Sequence, residues 1–463
     1  MGRIDDERRA ALEAAHRHAR EWLASVTERP VRPELDVEGV RERLGLELPE
    51  EGLPAADVVD ELAAAAGDGL MAMGSPRFFG FVIGGAYPAA LGADWLVAAW
   101  DQNNGSRQTT PGVAAVEEVA AAWLLELLGL PVGSGVGFVT GGTMANFSCV
   151  IAARDAVLRA RGFDIATGGL QAAPRVRFLA GDQVHTSMVL AGRLAGLGPP
   201  HTVGADDQGR IDVDGLERAL AEDPDAATIV ALQAGDVHSG GFDDFARAID
   251  VAHAAGAWVH VDGAFGLWAA ASPRFAPLVR GLADADSWAT DAHKTLNVPY
   301  DCGVAIVRDE AAMTAALGAH AAYLPAVASI SDPYDRTPEL SRRARGVMVW
   351  AALRSLGRTG VRRLVEGLAD AASALADGFR AIGGLEVLND VVFTQVCLAA
   401  RDDETTVALG EWLRSEGTIW ASSSQWRGRT VVRFAVSNFA TDAEAVRRTV
   451  DAVERGLAAV TTR

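Results

Sequence analysis

The sequence predicts an α/β fold built on a mostly parallel central sheet sandwiched by helices, and three observations carry that prediction. Six short apolar or β-branched runs, at 136–139, 176–180, 228–232, 258–261, 287–289 and 304–307, have the length of buried strands. Helical or turn-rich stretches separate several of them, the alternation that lays helices over both faces of a parallel sheet. The last two runs are joined by a loop alone, so one edge is expected to be antiparallel. A chain of 463 residues is too long for one small core. We divide it into an N-terminal helical arm (1–70), a large domain (71–346) and a small C-terminal α+β domain (347–463).

The arm carries Ala11, Leu12, Ala15, His16, Ala19, Trp22 and Leu23 at helical spacing, an amphipathic face that needs a partner surface. Prolines at 30 and 33 and an acidic stretch at 46–51 loosen the chain before a second helix at 55–66. The segment 71–85 turns aromatic and glycine-rich, and its Phe78, Phe79 and Phe81 serve either the core or a pocket wall. A polar loop at 102–112 precedes a helix at 113–128. Beyond Arg308, residues 319–342 are poor in helix. Two prolines and two aspartates within 331–338 predict an exposed, mobile loop there. Helix resumes at 347–356 and 361–382. Strands at 393–398 and 431–436 then alternate with helices ending at Glu416 and spanning 442–460.

Composition narrows the function. Apolar residues make up 49% of the chain and charged residues 22%, enough for an ordinary large core. A formal charge of −19 argues against nucleic acid or an anionic membrane as the main partner. Cys149, Cys302 and Cys397 stand far apart with no CxxC pair, so reduced thiols in a cytoplasmic protein are expected, without a disulfide or zinc framework. The N-terminal residues lack a signal-type apolar segment, and Asp6 breaks a myristoylation pattern. No apolar run reaches the ~18 residues of a membrane span. His16 and His18 would point apart on a helix, so no metal site is expected from them.

Four motifs fall at strand ends of the large domain, where open α/β sheets bind ligands. The chain holds one lysine, Lys294; its other basic residues, of 42 in all, are arginines. Only lysine can readily be deprotonated and form a Schiff base, so the retained amine suggests a covalent carbonyl cofactor. A strand runs into Gly141-Gly142-Thr143-Met144 and then a helix, whose first amides can grip a phosphate. Asp262 ends another strand, and His185 follows a third. Taken singly, each has a plain structural explanation: a surface lysine, a tight turn, a helix cap, a packed histidine. Together they supply a phosphate anchor, a carboxylate for a ring nitrogen, an imidazole face and an amine for an aldehyde. Pyridoxal phosphate needs all four. The absence of a lysine after the glycine pair excludes a P-loop or kinase reading.

These residues are similar to the fold-type I pyridoxal phosphate enzymes. More closely, His260-Val-Asp-Gly-Ala264, His293-Lys294 and Asp301-Cys-Gly303 resemble the group II amino-acid decarboxylases, a family that includes aromatic-amino-acid and glutamate decarboxylases. The resemblance covers about 70–350 well and implies a role for each matching position. Lys294 would form the Schiff base and move protons, Asp262 would pair with the ring nitrogen, and Ala264 and His185 would flank the ring. Gly142, Thr143, Met144 and His293 would hold the phosphate, and Tyr334, on the loop, would protonate the substrate carbon after carbon dioxide leaves. A homodimer with shared active sites is also implied, with the arm packed on the partner.

The expected reaction is decarboxylation of an L-amino acid to its amine, with an aromatic or apolar side chain favoured by Phe79 and Phe81. An aminotransferase using Arg433 for the substrate carboxylate, a carbon–carbon lyase and an oxidative aldehyde-forming enzyme are alternatives on the same fold. A non-catalytic dimeric binding protein is an alternative of another class. Two departures from the family stand out. Asp291 replaces a common asparagine and, being an acid near a phosphate, is expected to point elsewhere. The turn at 233–241 replaces a threonine-rich one.

Overall fold

The computed structural model describes residues 2–318 and 331–462. Three helices lead the chain: α1 (Gly2–Ser25), α2 (Val37–Leu44) and α3 (Ala55–Ala66). The arm helix α1 packs on α3, where Ala14 is buried and His18 Nε2 meets Asp60 Oδ1 at 2.7 Å. Its apolar face is only partly used, since Ile4, Leu12 and Leu23 stay exposed. A two-residue strand β1 (Phe78–Phe79) and helices α4 (Pro88–Trp100) and α5 (Pro111–Leu128) follow. Proline opens both helices at a position whose amide has no intrahelical partner.

The large sheet is assembled from β2 (Gly135–Val139), β3 (Val176–Gly181), β4 (His201–Val203), β5 (Ala227–Gln233), β6 (Trp258–Asp262), β7 (Ser287–Asp291) and β8 (Gly303–Val307). Between them run α6 (Gly142–Arg159), α7 (Ile165–Gly168), α8 (Thr186–Leu194), α9 (Val213–Ala221) and α10 (Phe245–Ala254). Strand order is β2-β8-β7-β6-β5-β3-β4. Only β8 is antiparallel, paired with both β7 and β2. The expected antiparallel strand therefore lies one place inside the edge. Every residue of β5, β7 and β8 is buried, as expected of strands covered on both faces. With β8 alone reversed, the C-terminal ends of β2, β3, β5, β6 and β7 open on one edge of the sheet.

Past β8, α11 (Glu310–Leu317) ends just before residues 319–330, which lie outside the described part. The segment 331–338 is not the exposed loop its prolines and aspartates suggested. Asp332, Pro333, Tyr334 and Asp335 are buried. Asp332 and Asp335 accept each other's backbone amides in a capping box, and Arg107 N donates to Asp332 Oδ1 at 2.7 Å. The same residues that favour turns have been used to tie one down.

Helix α12 (Gly346–Arg380) joins the two halves of the molecule. It bends at Gly357, whose φ of 61° suits glycine. Its first half packs on α4 and α5 through a Trp123–Trp350 stack, and the rest packs on the second sheet. That sheet has the order β1-β11-β12-β10-β9, adding β9 (Leu385–Val387), β10 (Gln395–Ala400), β11 (Trp420–Trp426) and β12 (Arg429–Ala435). Helices α13 (Asp403–Glu416) and α14 (Ala443–Thr461) cover it over a core that includes Phe379, Leu413, Val432, Phe434 and Val453. Phe78 and Phe79 thus leave the segment next to the large sheet and pair with Trp420 and Ala421.

Candidate active site

The strand ends surround a cavity of about 380 Å³. Asp262, Ala264, Lys294 and His185 line it, with Gln233, Arg433, Tyr300 and an apolar wall of Phe81, Val82, Ile83, Val237 and Phe265. Three of the four sequence motifs therefore meet in one space, and the fourth, the glycine turn, closes against Asp291 beside it.

Asp262 is held from behind. Its Oδ2 accepts from Asn146 Nδ2 at 2.9 Å, and its Oδ1 accepts from the Ala264 amide at 3.1 Å. Asn146 Oδ1 lies 3.0 Å from His260 Nε2, His260 Nδ1 lies 2.9 Å from Ser287 Oγ, and Trp258 Nε1 donates to that hydroxyl at 2.9 Å. One assignment of protons satisfies the whole row: indole to hydroxyl, hydroxyl to Nδ1, Nε2–H to the Asn146 carbonyl, amide to carboxylate. It requires a neutral His260, and burial pushes that imidazole down to about 4. The row aims the carboxylate into the cavity.

A measurable consequence follows from His260. Its folded value lies below the unfolded value near 6.5, so the unfolded chain binds the proton first. The stability it contributes is present above pH 6.5 and is lost as pH falls from there to about 4. The size is roughly 3 kcal/mol for a shift of this order. Wild type should therefore exceed a His260→Gln variant in urea midpoint by more at pH 7.5 than at pH 5. A gap independent of pH would contradict the neutral assignment.

Lys294 follows β7 and is partly buried. Its Nζ lies 2.8 Å from Asp291 Oδ2, and His293 Nε2 lies 3.5 Å from Asp291 Oδ1. Asp291 thus faces the amine and the glycine turn, contrary to the expectation that it points away. A Cβ on Gly142 would come within 2.7 Å of its Oδ2, so the start of α6 and the carboxylate are in close approach. His293 Nδ1 accepts from the Cys302 amide at 3.1 Å, and its ring stacks on Tyr300 with centroids 4.2 Å apart. Burial holds His293 below the usual histidine range, with Asp291 pulling the other way.

His185 caps α8, its Nδ1 accepting from the Ser187 amide at 3.2 Å, which fixes the ring at the cavity wall. Desolvation at the cavity wall lowers its pKa, and Asp262 partly offsets this. Thr143 and Met144 occupy the first turn of α6, which has no side-chain cap, so its leading amides remain for an anion. The Met144 side chain packs toward Val139 and Cys149, which leaves its backbone as the part able to serve.

Two sequence-predicted residues are elsewhere. Phe79 is fully buried against Phe434 in the second core and does not line the cavity. Tyr334 is buried with its amide bonded to Gly105 O at 3.0 Å, and it does not line the cavity either. Among the described residues, the tyrosine that does is Tyr300. Sequence reasoning missed Tyr300. Gln233 and Val237 fall in the turn at 233–241, which the sequence marks as a departure from the family without giving either residue a role.

A family profile described as the pyridoxal-dependent decarboxylase conserved domain matches residues 38–401. The chain belongs to the pyridoxal-dependent decarboxylases. Tryptophan decarboxylase 1 of Oryza sativa subsp. japonica is 29% identical over 467 residues, covering 94% of this decarboxylase and 90% of that one. Phenylacetaldehyde synthase of Arabidopsis thaliana is 26% identical over 404 residues, covering 82% and 81%. A crystal structure of Oryza sativa TDC with PLP and tryptamine superposes with a TM-score of 0.91 at 26% identity, covering 98% of each chain. This decarboxylase is a carboxy-lyase that uses pyridoxal 5′-phosphate. The residues present fit that group: an amine, a braced carboxylate across the cavity, an imidazole and a small Ala264 on the walls, and an uncapped helix start beside them.

Proposed function

We propose that this decarboxylase removes carbon dioxide from an L-amino acid with an aromatic or apolar side chain. The observation that carries the substrate class is the wall of Phe81, Val82, Ile83, Val237 and Phe265 beside Lys294. Apolar area removed from water is worth about 25 cal/mol per Å², so such a wall favours a large apolar group over a charged one. Arg433 ends the polar side, its guanidinium donating to Val237 O at 2.8 Å, and offers a cation for the substrate carboxylate.

In this reading Lys294 carries the cofactor and moves protons at Nζ. Asp262 faces the ring nitrogen, His185 and Ala264 flank the ring, and Gly142, Thr143, Met144 and His293 hold the phosphate. When bound, the cofactor supplies the electron sink for the bond that breaks. The test is incubation of the loaded enzyme with each standard L-amino acid while carbon dioxide and amine are followed. Amine from phenylalanine, tyrosine or tryptophan supports the substrate class; turnover confined to acidic or basic amino acids refutes it. Relatives named phenylacetaldehyde synthase favour a second reading, oxidative decarboxylation. Aldehyde, ammonia and peroxide in the same assay would establish it.

The assembly is read as a homodimer in the cytoplasm. Phe81 and Tyr300 at the cavity rim are 56% and 55% exposed, and the arm leaves Ile4, Leu12 and Leu23 uncovered. A second copy covering the arm helix and the cavity rim would bury these side chains. Light scattering should give twice the mass of the 48.5 kDa chain. Deletion of α1 should shift the protein toward monomer, and a wild-type monomer at micromolar concentration would refute the dimer. No helix among the described residues is long and apolar enough to cross a membrane.

A further inference from the structure

The turn at 233–241, which departs from the family pattern, ties the large sheet to the second one. An Ala234–Phe242 bridge and the Asp236 amide, donating to Gly241 O at 2.7 Å, close it on itself. Asp236 is 1% exposed. Its Oδ1 accepts from the amides of His238 and Ser239, each at 2.8 Å, and from Ser239 Oγ at 3.1 Å. With those amides gathered on one carboxylate, three consecutive carbonyls are left for the second sheet and its β9–β10 connection. Val237 O accepts from the Arg433 guanidinium at 2.8 Å, His238 O from Cys397 Sγ at 3.1 Å, and Ser239 O from Asn389 Nδ2 at 2.8 Å. Cys397, Arg433 and Ser422 stand in register across β10, β12 and β11, and Ser422 Oγ accepts from the amide of Phe81 on the cavity wall at 3.0 Å.

Arg433 lines the cavity at 7% exposure, and among the described residues no carboxylate pairs with it. A buried guanidinium held by one carbonyl still calls for an anion, which a substrate carboxylate would supply. Where that guanidinium points depends on Val237 O, and Val237 O is set by the turn. We propose that Asp236 is a positioning residue for substrate recognition: by gathering the His238 and Ser239 amides it fixes Val237 O, and through that carbonyl it aims Arg433 at the substrate carboxylate. Asp236 does not itself line the cavity. Without its carboxylate both amides lose their acceptor, and the segment between Gly235 and Gly240, at φ 96° and 73°, is free to change course. His238 Nε2, 2.8 Å from Ser424 Oγ, still docks the turn on β11, so the loss is one of aim and not of fold.

The proposal rests on reading Arg433 as the partner of the carboxylate of an aromatic substrate, and two probes separate the one from the other. Indole-3-propionate has the carboxylate without the amine, and tryptamine has the amine without the carboxylate. Binding of each to the loaded enzyme is read by titration calorimetry. Asp236→Ala should weaken the propionate about tenfold, the size of one bond to a charged group, and leave tryptamine within about twofold. For the aromatic amino acid turned over, KM should rise by the same factor while kcat holds within about threefold. In an Arg433→Gln background Asp236→Ala should have no further effect on the propionate, since residues acting through one contact are not additive. Unchanged propionate affinity, an equal loss of both probes, or full additivity would each overturn the proposal. Should the alanine variant fail to fold, Asp236→Asn keeps the shape and holds the amides with bonds about half as strong. It should weaken the propionate about threefold with tryptamine unmoved, and equal propionate affinity in that variant and wild type overturns the proposal. Wild type that binds neither probe would refute the substrate reading itself, and the proposal would fall with it.

Discussion

Replacing Lys294 with arginine is expected to yield a folded, colourless protein whose turnover is lower by at least about a thousandfold. The chain offers no second lysine to substitute for it. Arginine keeps the positive charge opposite Asp291, where Lys294 Nζ now lies at 2.8 Å, but cannot readily form the imine. Alanine at the same position removes the charge as well and leaves a buried carboxylate alone, which costs about 3–5 kcal/mol in comparable pairs. Comparing the two variants separates loss of chemistry from loss of fold. The singularity of the lysine adds a direct check: borohydride reduction of the loaded enzyme should attach the cofactor to one internal peptide, the one containing residue 294. Visible absorbance and turnover within tenfold of wild type in Lys294→Arg would remove this residue from the centre of the site.

The parts of this architecture that were legible in the sequence are those whose signal is local. A fully buried strand such as β5 reads as an almost continuous apolar run, broken only by Thr228 and Gln233, and an Asp or His at or just past the end of such a run stands out. The count of a single lysine points to Lys294, and the strand-end logic points to Asp262 and His185. It failed where burial is decided by distant segments. Phe79 and Phe81 are two residues apart in one aromatic run, yet one packs against Phe434 and the other lines the cavity. The turn around Tyr334 has loop composition, but Gly105 and Arg107 from another part of the chain fasten it. Strand β11 was invisible because its Ala-Ser-Ser-Ser centre has no apolar alternation, and it is held by pairing with β12. Asp291 was misjudged for an electrostatic reason. The expectation considered the repulsion from a phosphate and left out the attraction of the adjacent amine.

The brace behind Asp262 makes the last prediction specific. Asp262→Asn preserves shape, and its carbonyl oxygen can still accept from Asn146 or from the Ala264 amide. The protein should therefore fold and retain its coloured cofactor. What the amide lacks is the negative charge that would hold a proton on the ring nitrogen. Preorganised charge of this kind is worth about 10²–10³ in rate when one donor or acceptor is removed. Turnover should fall by that factor with little change in substrate KM, because the charge acts on the bond-breaking step. Asn146→Ala should give a smaller loss in rate together with reduced stability. It frees Asp262 to tilt, and it strips His260 Nε2 of its acceptor, at a cost of about 1–3 kcal/mol for a buried unsatisfied group. The ordering of the two variants is the informative result. If Asn146→Ala lowered turnover more than Asp262→Asn, the row of hydrogen bonds from Trp258 to Asp262 would matter mainly as scaffold. The proton on the ring nitrogen would then be held by another group lining the cavity, with the Gln233 side chain in register beside Asp262 as the first to replace.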